Sequence, residues 1–232
     1  ARVVVADYNA DGVYQTVADF RKRGLVADAL VFDATDVESC KRIVQQTIAM
    51  YGRLDVLVNV VGGNDLKRDK AVGELDINYF DEIFHLNVRS MLVSIQTALP
   101  DMIKAGGGSI VNIASLSGVA GDVRGTLYGI CKAGVISLTR YVATQYGKSG
   151  IRCNAVAPGL VLTPGAELSL SEKYKALFLK HNSLSYLGCP EHIAGTVAFL
   201  ASEDAGYING QTIITDGGMT CHNPSVGDLL EM

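Results

Sequence analysis

The sequence predicts one α/β domain built on a mostly parallel sheet with helices on both faces. Three observations carry this. Apolar, β-branched runs alternate with segments of helical period along the 232 residues, the pattern of repeated βαβ units. The strand runs are continuously apolar, as in strands buried on both faces. Polar or glycine residues gather where those runs end, which is the edge at which open α/β sheets bind ligands.

Strands are expected at Arg2–Asp7, Ala27–Asp33, Leu54–Asn59, Ser109–Ala114, Ile151–Ala157 and Gln211–Asp216. Helices are expected at Asp11–Lys22, Val37–Tyr51, Ile77–Ala105, Thr126–Lys148 and Glu191–Ser202, with a looser helical stretch at Glu167–His181. Pro190 stands where the first turn of the last helix begins, a position that proline tolerates. No repeat, low-complexity tract or linker interrupts the order, so residues 1–232 read as one domain.

Composition narrows the function. Hydrophobic residues make up 48% and charged residues 19%, with a net charge of -4. No basic stripe is present, which argues against a nucleic-acid partner. No apolar run reaches the ~18 residues of a membrane span, and the N-terminus lacks the pattern of a signal peptide. Cys40, Cys131, Cys153, Cys189 and Cys221 are scattered, without a CxxC pair; neither a disulfide framework nor a metal site is expected, and reduced thiols fit the cytoplasm.

The strand ends supply the site. Asp7 closes the first run, Asp33 the second, and Asn59-Val-Val-Gly-Gly63 the third; Ser115 follows the fourth and Pro158-Gly159 the fifth. Within a helical segment, Tyr128-Gly-Ile-Cys-Lys132 places a phenol and an ammonium on one face. A phenol of reference pKa ~10 is a poor acid–base group at neutral pH. A cation one turn away favours the phenolate, so the pair is expected to have a lowered phenol pKa and to pass a proton to or from a substrate oxygen. Alone, YxxxK is more often a surface pair.

It does not stand alone. Ser115-Leu-Ser-Gly118 precedes Tyr128 by 13 residues, and Asn87 in Leu86-Asn87-Val88 precedes Ser115 by 28. With Asn59-Val-Val-Gly-Gly63 and Pro158-Gly-Leu-Val-Leu-Thr163, this order and spacing resembles the short-chain dehydrogenase/reductase family from Ala1 to about Gly218. The resemblance implies a Rossmann-like, doubly wound sheet and a hydride transfer between a secondary alcohol or ketone and NAD. It implies that Tyr128 is the acid–base group and that Lys132 lowers its pKa and holds the nicotinamide ribose. Ser115 would hold the substrate oxygen, in preference to Ser117, and Asn87 would position a water behind Lys132. Asp33 and the Ala34 backbone would meet the adenine. Asn59, Gly62, Pro158, Gly159 and Val161 would line the cofactor cleft, and Thr163 would touch the nicotinamide carboxamide. Relatives of this kind form dimers or tetramers, and the segment Pro164–Leu187 would fold over the substrate.

Asp7 bears on the choice of cofactor. A carboxylate ending that strand accepts hydrogen bonds from both ribose hydroxyls of NAD and repels the 2′-phosphate of NADP. Tyr8-Asn9-Ala10-Asp11 offers no cation nearby, so NADP is disfavoured. Asn9 or Asp11 can cap the following helix, which leaves Asp7 free for the ligand.

The family pattern opens with a further strand, TGxxxGxG and a helix, ahead of the residues matched by Ala1. Gly106-Gly-Gly108 precedes a strand and cannot replace that loop. A pyrophosphate cradle of backbone N–H groups is therefore expected to be missing from these 232 residues, with Arg2–Asp7 left as an apolar edge. The complete protein is expected to be an active dehydrogenase, and the 232-residue chain by itself to bind NAD poorly. The alternative is a non-catalytic binding or scaffold relative.

Of the remaining features, Cys131 reads as a packed helix residue, and the four histidines lack metal-ligand spacing. Asp65-Leu-Lys-Arg-Asp-Lys70 reads as a solvated loop. Leu168, Leu170, Leu177 and Phe178 suggest an apolar alcohol or ketone. The tail Met219–Met232 and the two long helices are candidate contacts between subunits.

Overall fold

Six strands follow one another in a single direction, each returned by a helical crossover, in a computed structural model that describes residues 1–230. In order they are β1 (Arg2–Asp7), α1 (Ala10–Lys22), β2 (Val26–Val31), α2 (Val37–Tyr51), β3 (Val56–Asn59), α3 (Phe80–Phe84), α4 (Ser90–Lys104), β4 (Gly108–Ile113) and α5 (Thr126–Tyr146). Then come β5 (Ile151–Pro158), α6 (Pro164–Ser169), α7 (Glu172–His181), α8 (Pro190–Ala201), β6 (Thr212–Thr215) and α9 (Val226–Leu229). Glu231 and Met232, the end of the expected domain and tail, lie outside the described residues.

Local chemistry sets the helix starts. Asn9 accepts the Gly12 N–H and caps α1, leaving Asp11 in its first turn. Asp36 accepts the N–H groups of Glu38 and Ser39 at α2. Pro190 fills the first turn of α8.

The parallel pairing is as expected, but the strands form two groups rather than one sheet. β2 pairs with β1, and β3, β4, β5 and β6 pair in that order. No strand among the described residues bridges β1 and β3. β1 is thus the open edge expected of Arg2–Asp7, paired with β2 alone. Val3 of β1 is 42% exposed and Val56 and Val58 of β3 are 36% exposed. A cluster of Phe32, Cys40 and Val93, packed with Ala6 and Val61, holds the two groups together.

Alternate residues of β4 face opposite layers. Ile110 packs with Val44, Ile95, Met102 and Ile151, against α2 and α4; Val111 packs with Val156 and Leu200, against α8. Both are fully buried. Ile110→Ala is expected to lower stability by about 2–5 kcal/mol, read as a shift in a urea unfolding midpoint at unchanged m-value.

Two helical expectations are corrected. The segment Ile77–Ala105 is not one helix: α3 and α4 are separated by a π turn at His85–Arg89, where the Ser90 N–H reaches the His85 carbonyl. Its apolar period continues through the wider turn, so the break leaves no mark in the pattern. The looser stretch Glu167–His181 is two helices, α6 and α7, interrupted at Leu170 and Ser171, whose hydroxyl caps α7.

Candidate active site

α5 places Tyr128 and Lys132 one turn apart. Lys132 is only 2% exposed. Its Nζ donates to the Ile113 carbonyl at 2.8 Å, at the end of β4, and lies 5.4 Å from the centre of the Tyr128 ring. Ser115 follows β4 and opens the turn Leu116–Gly118, its Oγ accepting the Ser117 N–H at 3.2 Å. A Cβ on Gly118 would lie 2.6 Å from the Lys132 carbonyl carbon and 2.8 Å from the Ala133 nitrogen. Glycine alone lets this turn rest on the α5 backbone. The Ser115 hydroxyl lies near enough to the Tyr128 phenol to draw its pKa down.

The expectation of a lowered phenol pKa is corrected. Burial pushes Tyr128 above the ordinary phenol value, and the Ser115 hydrogen bond offsets only part of this. Burial also pushes Lys132 down to about 8. Desolvation opposes the charged form of each group and is the largest influence on both.

Gly62 and Asn87 close the back of the site. A Cβ on Gly62 would lie 2.6 Å from Asn87 Oδ1 and 3.0 Å from Lys132 Nζ. The Asn87 side chain, fully buried in the π turn, donates to the carbonyls of Gly63 (2.9 Å) and Ile83 (3.0 Å). Its Oδ1 accepts the Gly63 N–H at 3.1 Å. The side chain is thus spent on pinning the turn after β3. Asn59 is also turned inward: its amide donates to Asn112 Oδ1 at 2.8 Å, and Asn112 donates to the Thr139 hydroxyl at 3.0 Å. This leaves the Asn59 backbone, not its side chain, for a ligand. The interior chain through Asn112 and Thr139 joins residues too distant in sequence for any motif to announce it.

The other candidates sit at the carboxyl ends of the strands. Asp7 ends β1 and accepts the Asn9 N–H at 3.0 Å. Asp33 accepts the N–H and hydroxyl of Thr35 at 2.8 and 2.7 Å, and these bonds hold its carboxyl below the usual range. Ala34 adjoins it. Pro158 ends β5, and Gly159 donates to the Thr215 carbonyl, with no room for a Cβ beside Asp216. Val161 bridges to Gly188. The Thr163 hydroxyl caps α6 by accepting the Ala166 N–H at 3.1 Å.

The run Asp65–Lys70 is not simply a solvated loop: Asp69 is fully buried. Its carboxylate accepts the backbone N–H groups of Leu127 and Tyr128. Cys131, by contrast, is buried in the core beside Ile83 and Val135, as its packing role requires.

Chemically, two neighbouring hydroxyls beside a buried amine can together hold an oxygen and exchange a proton with it. Among the described residues no cluster of side chains suits a metal ion, and no helix is long and apolar enough to cross a membrane.

Residues 1–220 match a family model described as "Enoyl-(Acyl carrier protein) reductase". The chain is 51% identical over 225 residues to the 7alpha-hydroxysteroid dehydrogenase of Bacteroides fragilis, covering 97% of this chain and 87% of that protein. It is 36% identical to the 7alpha-hydroxysteroid dehydrogenase of Clostridium sardiniense, over 98% and 87% of the two chains. Among solved structures, a 7 alpha-hydroxysteroid dehydrogenase complexed with NADH and 7-oxo glycochenodeoxycholic acid superposes with a TM-score of 0.89 at 32% identity, over 94% of this chain and 84% of that one. Sequence motifs, parallel fold and relatives agree, and the chain belongs to the short-chain dehydrogenase/reductase family.

Proposed function

We propose that the protein is an NAD-dependent oxidoreductase that interconverts a 7α-hydroxysteroid and its 7-oxo counterpart. The observation that carries the reading is the Ser115 hydroxyl set against the Tyr128 phenol over the buried Lys132, in a chain about half identical to a hydroxysteroid dehydrogenase.

In alcohol oxidation Ser115 holds the substrate oxygen and Tyr128 takes its proton; in ketone reduction Tyr128 returns it. The charged form of Lys132, 5.4 Å from the ring centre, favours the phenolate during that transfer. Asn87 and Gly62 fix the turn against which Lys132 rests. The donor set fits the nucleoside ends of a dinucleotide: a carboxylate at the end of β1 suits a ribose diol, and Asp33 with Ala34 suits the adenine. Pro158, Gly159, Val161 and Thr163 would flank the nicotinamide, beside the Asn59 and Gly62 backbone. A bound nicotinamide dinucleotide supplies or accepts the hydride.

α6 and α7 form the substrate flap, residues 164–187. Leu168, Leu177 and Leu179 are exposed on it, which supports an apolar, steroid-sized partner. Leu92 and Tyr141, exposed on α4 and α5, support association of copies through these helices. The five cysteines are all free, and we assign the protein to the cytoplasm.

The test is steady-state oxidation of a 7α-hydroxysteroid against a short aliphatic secondary alcohol, with NAD and with NADP. The kcat/KM for the steroid is expected to be at least about tenfold higher; equal values would overturn the steroid assignment. Asp7→Ala is expected to reduce the preference for NAD over NADP by about tenfold or more, because it removes a ribose acceptor and a charge that repels phosphate. An unchanged preference would remove Asp7 from the cofactor site.

A further inference from the structure

We propose that Asp69 is a positioning residue: it fixes the first turn of α5 so that the Tyr128 phenol is aimed at the substrate oxygen, an inference that rests on the acid–base reading of Tyr128.

A helix leaves its first N–H groups without internal partners. α5 has no local means to satisfy them. Gly125 at its N-cap has no side chain and sits at φ 78°, and no acid occupies the first turn. The partner comes from 58 residues earlier. Asp69 Oδ1 accepts the Leu127 N–H at 2.8 Å and Oδ2 accepts the Tyr128 N–H at 2.9 Å. The Asp69 carbonyl accepts the Gly125 N–H at 3.1 Å, and the Thr126 hydroxyl donates to the Lys70 carbonyl at 2.9 Å.

The caps of α1 and α2 differ in kind. Asn9 and Asp36 lie next to their own helices and are exposed. Asp69 is fully buried, and burying a carboxylate is expensive unless every lone pair finds a donor. Helix capping alone does not call for that expense. What this arrangement adds is register: the backbone of the residue whose phenol reacts is tied to a loop that is itself held in place. Arg68, next to Asp69, donates to Asp76 at 3.0 Å and to Glu82 at 2.7 Å, and its guanidinium lies 4.3 Å from the Tyr79 ring centre. The Tyr79 hydroxyl accepts the Asp65 N–H at 3.1 Å.

The test compares the complete protein with its Asp69→Asn, Thr126→Val and Ile110→Ala variants in steady-state steroid oxidation, with Tyr128→Phe as reference. Asparagine keeps the size of Asp69 but turns an amide N–H toward a backbone donor. We expect kcat to fall about 10–100-fold with KM within about threefold, since an ångström of misplacement at a reacting group has effects of that size. Ile110→Ala, which loses stability in a remote core, keeps the wild-type kcat. Thr126→Val loosens the same clamp without burying a new polar group, and its kcat falls about two- to fivefold. A kcat for Asp69→Asn within about twofold of wild type overturns the inference, as does an equal fall in Ile110→Ala. Should Asp69→Asn not fold, an unchanged kcat in Thr126→Val overturns it. If wild type is active, Tyr128→Phe inactive and Asp69→Asn unimpaired, positioning alone fails. If Tyr128→Phe is as active as wild type, the acid–base reading fails and takes the inference with it.

Discussion

Tyr128→Phe is expected to lower kcat by about 10²–10⁴-fold, the usual contribution of a positioned acid–base group, with little change in melting temperature. The ring packs against the cluster of Ile83, Met91, Leu127 and Val135, and phenylalanine keeps that contact. Only the hydroxyl is lost, and with it the partner of Ser115. No neighbouring group takes over the proton: Cys131 is buried and pushed up to about 11, and Lys132 donates to the Ile113 carbonyl. Turnover within tenfold of wild type, measured under substrate saturation, would contradict the role.

Lys132→Met is expected to lower kcat by about 10²–10³-fold, because it removes the charge that stabilises the phenolate. Its effect on stability has the opposite sign. In the folded state burial holds Lys132 at about 8, against 10.5 for the unconstrained side chain. Below pH 8 the amine is charged both folded and unfolded, and the folded state carries the full desolvation penalty. From about pH 8 toward 10.5 the folded protein releases that proton while the unfolded chain keeps it, so the lysine's contribution to stability rises with pH. The variant should therefore melt higher than wild type at pH 7, and its advantage should shrink by pH 9. Above pH 9 the buried thiols Cys131 and Cys153, raised to about 11 and about 12, act the other way in both proteins. Because Cys131 is also coupled to Lys132, the comparison is confined to pH 7–9, below the range in which the folded thiols titrate. A difference in melting temperature that does not vary between pH 7 and 9 would contradict the assignment.

Both predictions concern residues that the sequence marks clearly. The pair Tyr128 and Lys132 falls on one face of one helix, and the order and spacing of Asn87, Ser115 and Tyr128 carry the family resemblance that implies the rest of the set. The strands were legible from their apolar runs, within one or two residues at most ends. What periodicity does not encode is pairing: β1 and β3 are equally apolar whether or not a strand lies between them, and the edge at Arg2–Asp7 was legible only through the family resemblance. The π turn at Asn87 was hidden because Ile83, Val88 and Met91 stay on the core side through the wider turn.

Asp69 was hidden for a different reason. It stands among Asp65, Lys67, Arg68 and Lys70, a run that reads as solvated, and its partners are backbone groups 58 and 59 residues away. The direction of the Tyr128 shift was misjudged because spacing reveals the nearby cation but not the depth of burial, and burial has the larger effect here. A high phenol pKa is compatible with catalysis when Ser115 and a charged Lys132 act on the oxygen only as the proton moves.

The central claim is that Ser115, Tyr128 and Lys132 serve a hydride exchange at a steroid carbon. The most direct test is to incubate the complete protein with NAD and a 7α-hydroxysteroid bearing deuterium at C7, and to follow the label by mass spectrometry. Deuterium is expected in the reduced cofactor with the wild-type protein, and essentially none with Tyr128→Phe over the same time. No transfer by the wild-type protein, or undiminished transfer by the variant, would contradict the claim.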